Sequence, residues 1–223
     1  MATWRITRRS GEFLAAAVLS LGLIFSAGAV RAQSSTESVE PGGRPPVWKT
    51  ISLGTYRSVD ALRDALNRAN CKIGDMAHAI LDSPAFAISN TKTDVDLAVL
   101  SVVEMGFATD GALLADVYGR AMQLGLELPA AEVAPQLRLQ YPRQPRGEFL
   151  HIAMEPVTTA RGEVVAFIVG NGGSGLMLVG GDAHPDLIVP ATIRFVFLRP
   201  RQISMDEVPA VRQDDVASGI RAR

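Results

Sequence analysis

The second half of the chain places apolar residues at every second position, which is the spacing of a strand with one buried face. The alternation begins after Gln136, and apolar and polar residues alternate through segment 137–141. Four more segments of this kind follow: Phe149–Val157, Glu163–Val169, Leu176–Val179 and Ala191–Leu198. Turn residues separate these segments. The period therefore predicts an antiparallel meander of strands over residues 136–198.

Two turns of this meander are indicated by composition. Thr158–Gly162 predicts a hairpin loop, and Asn171-Gly172 is a dipeptide that favours a type I′ turn. The glycine run GNGGSG also resembles a phosphate-binding loop. It lacks the Gly-Lys-Ser/Thr ending and the following helix that such a loop needs. A hairpin turn between two strands is the preferred interpretation.

The first half of the chain predicts helices among two strands. Side chains that can cap a helix precede three periodic segments: Ser58, Asp75, and Thr109 or Asp110. Gly125 is placed to end the third helix. Val47–Leu53 predicts a short strand, and the apolar run Asp94–Met105 predicts a strand buried on both faces. The expected fold class is α+β, with N-terminal helices packed on one face of a mainly antiparallel sheet.

The first 32 residues carry the three parts of a cleavable signal peptide. Three arginines form a positive region, Phe13–Phe25 is an apolar core, and Val30–Ala32 offers small residues before a cut that leaves Gln33 first. A cut after Ala29, an uncleaved anchor and twin-arginine export stay open as alternatives. A lipoprotein signal is excluded, because the one cysteine is Cys71. The protein is expected to be periplasmic or secreted.

Four segments are expected along the chain: a signal peptide (1–32), a disordered tether (33–46), a single α+β domain (47–200) and a flexible C-terminal tail (201–223). The tether is rich in Ser, Glu, Gly and Pro and has almost nothing to bury. The tail is charged and loosely patterned. The length between them suits one well-buried domain.

Charge and cysteine content limit the partners and the covalent chemistry. Removal of residues 1–32 takes away four of the 22 basic and one of the 23 acidic residues, which leaves a formal charge of −4. An acidic balance argues against nucleic acid, and against a membrane after signal cleavage, as partners. Cys71 has no second cysteine with which to form a disulfide. It follows a predicted helix among apolar neighbours, so we expect a buried, inert thiol.

Asp182, His184 and Asp186 form the sharpest group of candidate ligands, in the segment GGDAHPD. If this segment is extended, alternate residues share one face, and two carboxylates and an imidazole could converge on a divalent cation. Gly180-Gly181 and Pro185 favour a solvated turn instead. No fixed spacing of metal ligands is matched, so neither a metal nor a cofactor is predicted.

His151 and Glu155 form a second group, in the segment FLHIAMEPV. They share the face opposite to Leu150 and Ile152, so they point outward or into a groove. On a strand they stand about 13 Å apart, which excludes a catalytic pair built from these two alone. His151 could still meet Arg194 or a carboxylate from a neighbouring strand. A surface histidine in a cross-strand pair is the preferred interpretation.

Three segments resemble a group of small bacterial proteins of unknown function: SVDALRDALNRANCKIGDMAHAIL, EVAPQLRLQYPRQPRGEFLHIAMEP and IRFVFLRP. The resemblance covers residues 47–200 and implies that this range is a single domain. It implies no activity, cofactor or catalytic residue.

Two functions follow as expectations. The first is an exported binding or interaction module for an unknown protein or small-molecule ligand, because no catalytic motif is present. The second is a periplasmic or secreted hydrolase or lyase that combines the Asp182/His184 loop with His151, Glu155 or Arg194. Convergence of two histidines and a carboxylate in one pocket would favour the enzyme. Scattered positions would favour the binding module.

Overall fold

A computed structural model describes residues 43–201 of the chain. Its strands and helices follow in this order: β1 (Lys49–Leu53), α1 (Val59–Arg68), β2 (Lys72–Ile73), α2 (Asp75–Leu81), β3 (Thr93–Ser101), β4 (Ala112–Leu113), α3 (Leu114–Gln123), α4 (Val133–Gln140), β5 (Phe149–Ile152), β6 (Val157–Thr158), β7 (Val164–Gly172), β8 (Gly175–Asp182), β9 (Ile188–Val189) and β10 (Arg194–Leu198).

The main sheet is a curled half-barrel in which seven strands pair in the order β1-β3-β10-β5-β7-β8-β2. The short strand β6 pairs with β7 outside this order. Strands from the first half of the chain lie at both edges of this sheet. At one edge β1 pairs with β3, which pairs with β10, and at the other edge β2 pairs with β8. The β10–β5 and β2–β8 pairs are parallel, and the other pairs of the sheet are antiparallel. A separate two-stranded ribbon pairs β4 with β9.

The predicted fold class is wrong. The described part of the chain is mostly sheet, and its four helices are only seven to ten residues long. These helices alternate with strands along the chain and do not precede them. The prediction placed strands at Val47–Leu53 and Asp94–Met105 but did not foresee β2 or how these strands join the sheet. Strands β1, β2 and β3 enter the same sheet through pairings that are distant in sequence, and hydrophobic period does not report such pairings.

Helix α4 stands where the alternation over 137–141 predicts the first strand of the meander. The alternation misleads because polar residues here do not mark a solvent face: Gln136 and Arg138 are only 1% and 2% exposed. The polar side chains of Glu132, Gln136 and Gln140 instead repeat every fourth residue, which is the helical spacing. Gln136 Nε2 donates to Glu132 Oε1 at 3.0 Å.

The buried carboxylate of Glu132 fastens two loops to the start of α4. Its Oε1 accepts from the backbone N–H of Gly54 and its Oε2 from that of Ser89, each at 2.8 Å. Burial opposes ionisation, but the hydrogen bonds from Ser89, Gln136 and Gly54 outweigh it and lower the pKa of Glu132. A buried carboxylate is stable only when it is satisfied in this way, so this group is structural.

The side chain of Gln140 covers the outer edge of β1. Its Nε2 donates to the carbonyl of Ser52, and the N–H of Ser52 donates to its Oε1, both at 2.9 Å. The amide takes the place that a neighbouring strand would have, so this part of the edge is closed to a further strand.

Only the first helix begins at its predicted cap. Ser58 is the N-cap of α1, and its Oγ accepts from the N–H of Ala61 at 3.1 Å, which confirms that prediction. The N-caps of α2 and α3 are Gly74 and Leu113, and neither has a side-chain cap bond. The caps predicted at Asp75 and at 109–110 are therefore wrong. At the start of α3, backbone carbonyls of Leu187 and Pro185 accept from the first N–H groups instead.

The β7–β8 hairpin turns two residues later than predicted. Gly172 pairs with Gly175, so the turn is Gly173-Ser174. Asn171 remains inside β7, where its side-chain amide donates to a loop carbonyl at 2.7 Å. The loop of the β6–β7 hairpin, in contrast, lies where Thr158–Gly162 is predicted, although Thr158 itself belongs to β6 and pairs with Val164.

Strand β3 passes through the core of the domain. Its adjacent residues Leu97 and Ala98 point to opposite faces, and both are 0% exposed, which confirms the strand buried on two faces. The strand ends at Ser101, earlier than predicted, because the N–H groups of Val102 and Val103 bond to carbonyls of the loop before β10.

The last residues of the predicted tether 33–46 are bonded to the domain. Arg44 donates through Nε and Nη2 to the carbonyl of Gly125, at 3.1 and 2.7 Å. Arg199 Nε donates to the carbonyl of Pro45 at 2.7 Å. The predicted signal peptide, residues 33–42 and residues 202–223 lie outside the described residues, so those predictions stay predictions. No helix within 43–201 is long and apolar enough to cross a membrane.

Candidate functional site

The five predicted site residues do not meet in one pocket. His151 and Asp182 line one small cavity, and His184 lies in the turn after β8. Glu155 borders a cleft on another part of the surface, and Arg194 is paired with Glu148. Each of these places has its own geometry.

His151 points away from the core residues Leu150 and Ile152, as the alternation predicts, and neighbouring side chains leave it only partly exposed. The ring of Phe195, on the parallel neighbour β10, lies 5.5 Å from the imidazole between centroids. Tyr118 of α3 and residues of the β4–β9 ribbon complete the cover. Burial lowers the pKa of His151 to about 4. The expected cross-strand pair with Arg194 is absent from the described residues, because β10 places Phe195 opposite His151.

The cover over His151 is held by backbone bonds between the ribbon and α3. The N–H groups of Leu114 and Ala115, at the start of α3, donate to the carbonyls of Leu187 and Pro185 at 2.9 and 3.0 Å. These bonds satisfy two of the donors that a helix N-terminus leaves free. The ribbon and α3 therefore form one connected cover.

The cavity beside His151 has a volume of about 10 Å³, which is room for one water molecule. Asp182 and Tyr118 are the other titratable side chains that line it. Burial, and next the charge of Glu155, raise the pKa of Tyr118. A cavity of this volume is too small for an organic substrate.

The turn after β8 pairs its own polar groups. The N–H of His184 donates to Asp182 Oδ1 at 2.9 Å, and His184 Nδ1 bonds Asp186 Oδ1. The N–H of Leu187 donates to the carbonyl of His184 at 2.9 Å and closes the turn. The side chains of His184 and Asp186 are 58% and 77% exposed. The hydrogen bond from His184 lowers the pKa of Asp186.

Metal ligation by this turn would need Asp182, His184 and Asp186 to converge. Asp182 is instead hydrogen-bonded to the backbone, and the imidazole to Asp186. Within residues 43–201 no group of three or more His, Cys, Asp or Glu side chains is placed to hold a metal ion. The arrangement is that of a solvated turn.

Arg194 belongs to a polar cluster that the sequence did not predict. Its Nη1 donates to Glu148 Oε1 at 2.7 Å, and the carboxylate is largely buried. Burial, and next the charge of Glu148, raise the pKa of Tyr141 beside it. Glu148 immediately precedes β5 and Arg194 opens β10. Only the parallel pairing of these strands brings the two residues together.

Arg138 lies behind this cluster and is nearly fully buried. It donates to the carbonyl of Gly170 at 3.0 Å, to that of Tyr141 and to Gln144 Oε1. Burial lowers its pKa. These bonds tie α4 to β7, so Arg138 has a structural role and faces no substrate.

Cys71 is buried, as predicted. Burial raises the pKa of its thiol to about 11. At neutral pH the thiol is therefore protonated, and the reactive thiolate is scarce.

Four surface clefts of 340 to 420 Å³ are much larger than the cavity of His151. One contains Arg57 and Lys92, and two others flank Met76 beside carboxylates. The fourth, of about 420 Å³, lies between segments 128–131 and 154–157 and also touches Ala85 and Ala87. We call it the Ala-Pro cleft. Its lining is apolar apart from Glu155.

Comparison with known proteins adds no functional assignment to this geometry. No family model, no curated protein and no solved structure matches the chain.

Proposed function

We propose that the protein is exported and that its domain acts as a binding module for a protein or small-molecule ligand. The observation that carries this proposal is the dispersal of the groups that could do chemistry. His151 lies half-buried beside a cavity with room for one water molecule, His184 and Asp186 bond each other, and Arg194 is paired with Glu148. A catalytic site needs such groups within hydrogen-bond reach of one reacting atom.

The open clefts support binding. Their volumes are typical of sites that take small ligands or parts of a larger partner. Several large apolar side chains are also exposed: Met76, Leu113, Met122, Phe149 and Ile188. Met76 lines two of the clefts, and exposed apolar surface is common at interaction sites.

A hydrolase or lyase remains the second candidate, because His151 and Asp182 line the same cavity. Such an enzyme would have to open the cover formed by α3 and the ribbon before a substrate could reach the imidazole. His184 would then have to leave Asp186 to join them. Binding needs neither movement.

Turnover separates the two candidates. The exported protein is tested for hydrolysis of p-nitrophenyl acetate, butyrate and phosphate, beside a triple variant with His151→Ala, Asp182→Asn and His184→Ala. We expect the same background rate from both proteins, and saturable binding of at least one member of a displayed random-peptide library. Turnover that the triple variant loses, or a library without any saturable binder, would overturn the proposal.

Export has its own test. We expect protein recovered from the periplasm or the medium to have the intact mass of a chain that begins at Gln33, because Val30–Ala32 follows an apolar core behind three arginines. A mass that retains residues 1–32, in the membrane fraction, would contradict cleavage.

A further inference from the structure

We infer that the Ala-Pro cleft binds an extended, mainly apolar peptide segment of a partner protein, with a basic side chain that meets Glu155. The inference rests on the proposed binding function and adds to it a surface and a class of partner. Three properties of the cleft carry it: its apolar floor, its unpaired backbone groups and its single charge.

The floor of the cleft is apolar and well packed. Pro129, Met154 and Val157 are buried beneath it. The exposed residues along its sides include Ala85, Ala87 and Ala130, whose methyl groups leave the floor open. Side chains of an occupant can therefore reach an apolar surface that is already packed. Binding then costs little conformational entropy in the protein.

The segments that line the cleft have backbone groups without partners. Within residues 43–201, the N–H and C=O groups of Ala87, Leu128 and Glu155 form no hydrogen bond. A peptide carries one donor and one acceptor at each residue and can satisfy such groups. Pro129 and Pro156 lack an N–H, so pairing is limited to a few bonds and does not extend into a full strand ladder.

Glu155 is the one charged side chain in the lining of the cleft. It is exposed and forms no ion pair within residues 43–201. A basic side chain of the occupant complements this charge. Of the three other clefts, one carries two cations, one carries both signs of charge, and one carries the carboxylates of Glu163 and Asp182 beside His184. None of them combines an apolar lining with a single carboxylate.

A pair of probe peptides tests the inference on the full exported chain. The first probe is labelled acetyl-Ala-Leu-Val-Arg-Ala-Leu-amide, and the second has Glu in place of Arg. Fluorescence anisotropy should show saturable binding of the first probe and weaker binding of the second. Glu155→Gln should weaken the first probe about two- to fivefold, as expected for an exposed ion pair, and Glu155→Asp should restore most of the affinity.

Two more variants separate the cleft from the rest of the surface. Ala130→Trp places a large ring in the cleft and should weaken the first probe about tenfold or more, because the ring occupies the volume of the peptide. Glu163→Gln removes an exposed carboxylate outside the cleft and should leave the affinity unchanged. Equal melting temperatures of the variants would show that they are folded.

Four outcomes would overturn the inference. Equal affinity of the two probes would exclude the role of Glu155, and absence of binding would exclude the peptide. Binding that appears only after deletion of residues 202–223 would assign the cleft to the chain's own C-terminal segment. Dimerisation that Ala130→Trp abolishes would assign it to a second copy. The proposed binding function is judged separately, by turnover and by the library.

Discussion

His151 and His184 lie on neighbouring parts of the domain, and their surroundings are opposite. His151 is enclosed by Phe195, Tyr118 and the β4–β9 ribbon, beside a cavity for one water molecule. His184 is exposed and bonded to Asp186 in a turn. Within residues 43–201, the imidazole of His151 has no hydrogen-bond partner. The imidazole of His184 has one, Asp186, but its exposed surroundings do not fix other groups beside it.

Because of this difference, neither histidine in this structure combines the pKa and the access that general base catalysis requires. A general base near neutral pH needs a matching pKa and access to a substrate. Burial lowers the pKa of His151 to about 4, and the cavity beside it has room for one water molecule. His184 has access, but Asp186 occupies its Nδ1 and no nucleophile lies beside it. His151 therefore meets neither requirement, whereas His184 meets the requirement of access.

The largest expected effect is acid destabilisation through His151. The pKa of the imidazole is about 4 in the folded chain and about 6.5 when unfolded. The unfolded chain therefore takes up the proton first, and stability is lost as the pH falls from about 6.5 to about 4. We expect a loss of about 3 kcal/mol from this group at pH 4.

Urea unfolding at pH 7 and pH 4 measures this loss against the variant His151→Phe. The free energy of unfolding should fall more in the natural protein than in the variant, and the control His184→Phe should behave like the natural protein. The same pH dependence in all three proteins would show that His151 is solvated, and the contrast between the two sites would disappear.

A smaller effect is expected when the cover over His151 is thinned. Tyr118→Ala removes a ring that lines the cavity and packs edge-on against Phe195 at 6.1 Å. We expect a loss of about 2 kcal/mol of unfolding free energy, because the side chain is only partly buried. The pKa of His151 should also rise above 4, because water reaches the ring.

Titration of the imidazole C–H resonances by NMR follows that pKa directly. Met122→Ala, an exposed position on the same helix, is the matched control and should leave both quantities unchanged. An unchanged pKa of His151 in Tyr118→Ala would mean that the ribbon alone excludes water.

The smallest effect is expected at the open site. His184→Ala should change the melting temperature by no more than about two degrees, because an exposed turn residue contributes little packing. Asp186→Asn should give the same result. Calorimetric titration with zinc or manganese should show no heat beyond dilution for any of these proteins. A drop of many degrees in His184→Ala would place this imidazole in the core.

Local signals predicted several parts of the fold correctly. Ser58 caps α1, Gly125 follows α3 in a left-handed conformation, and the run through Leu97 is a strand buried on both faces. The buried thiol of Cys71 was also expected from its neighbours. Each of these depends on residues that are close in sequence, so pattern and side-chain type are sufficient to predict it.

The same signals failed where a distant segment supplies the partner. Helix α4 resembles a strand in the sequence because polar residues such as Arg138 are buried there, and Arg138 is satisfied by the carbonyl of Gly170, 32 residues away. The cap expected at 109–110 is replaced by the ribbon. Its second strand comes about 75 residues later in the chain, and a local sequence pattern does not report pairings over that distance.

The sequence by itself therefore determined one helix start, the strand buried on both faces, the approximate place of one hairpin loop and the burial of Cys71. The tertiary structure decided the order of the strands, the cover over His151, the pairing of Arg194 with Glu148 and the Ala-Pro cleft. The physical reason is the sequence separation over which each property is set. Period and capping depend on the geometry of a few successive residues, whereas burial, pKa and the convergence of side chains depend on which distant strands become neighbours.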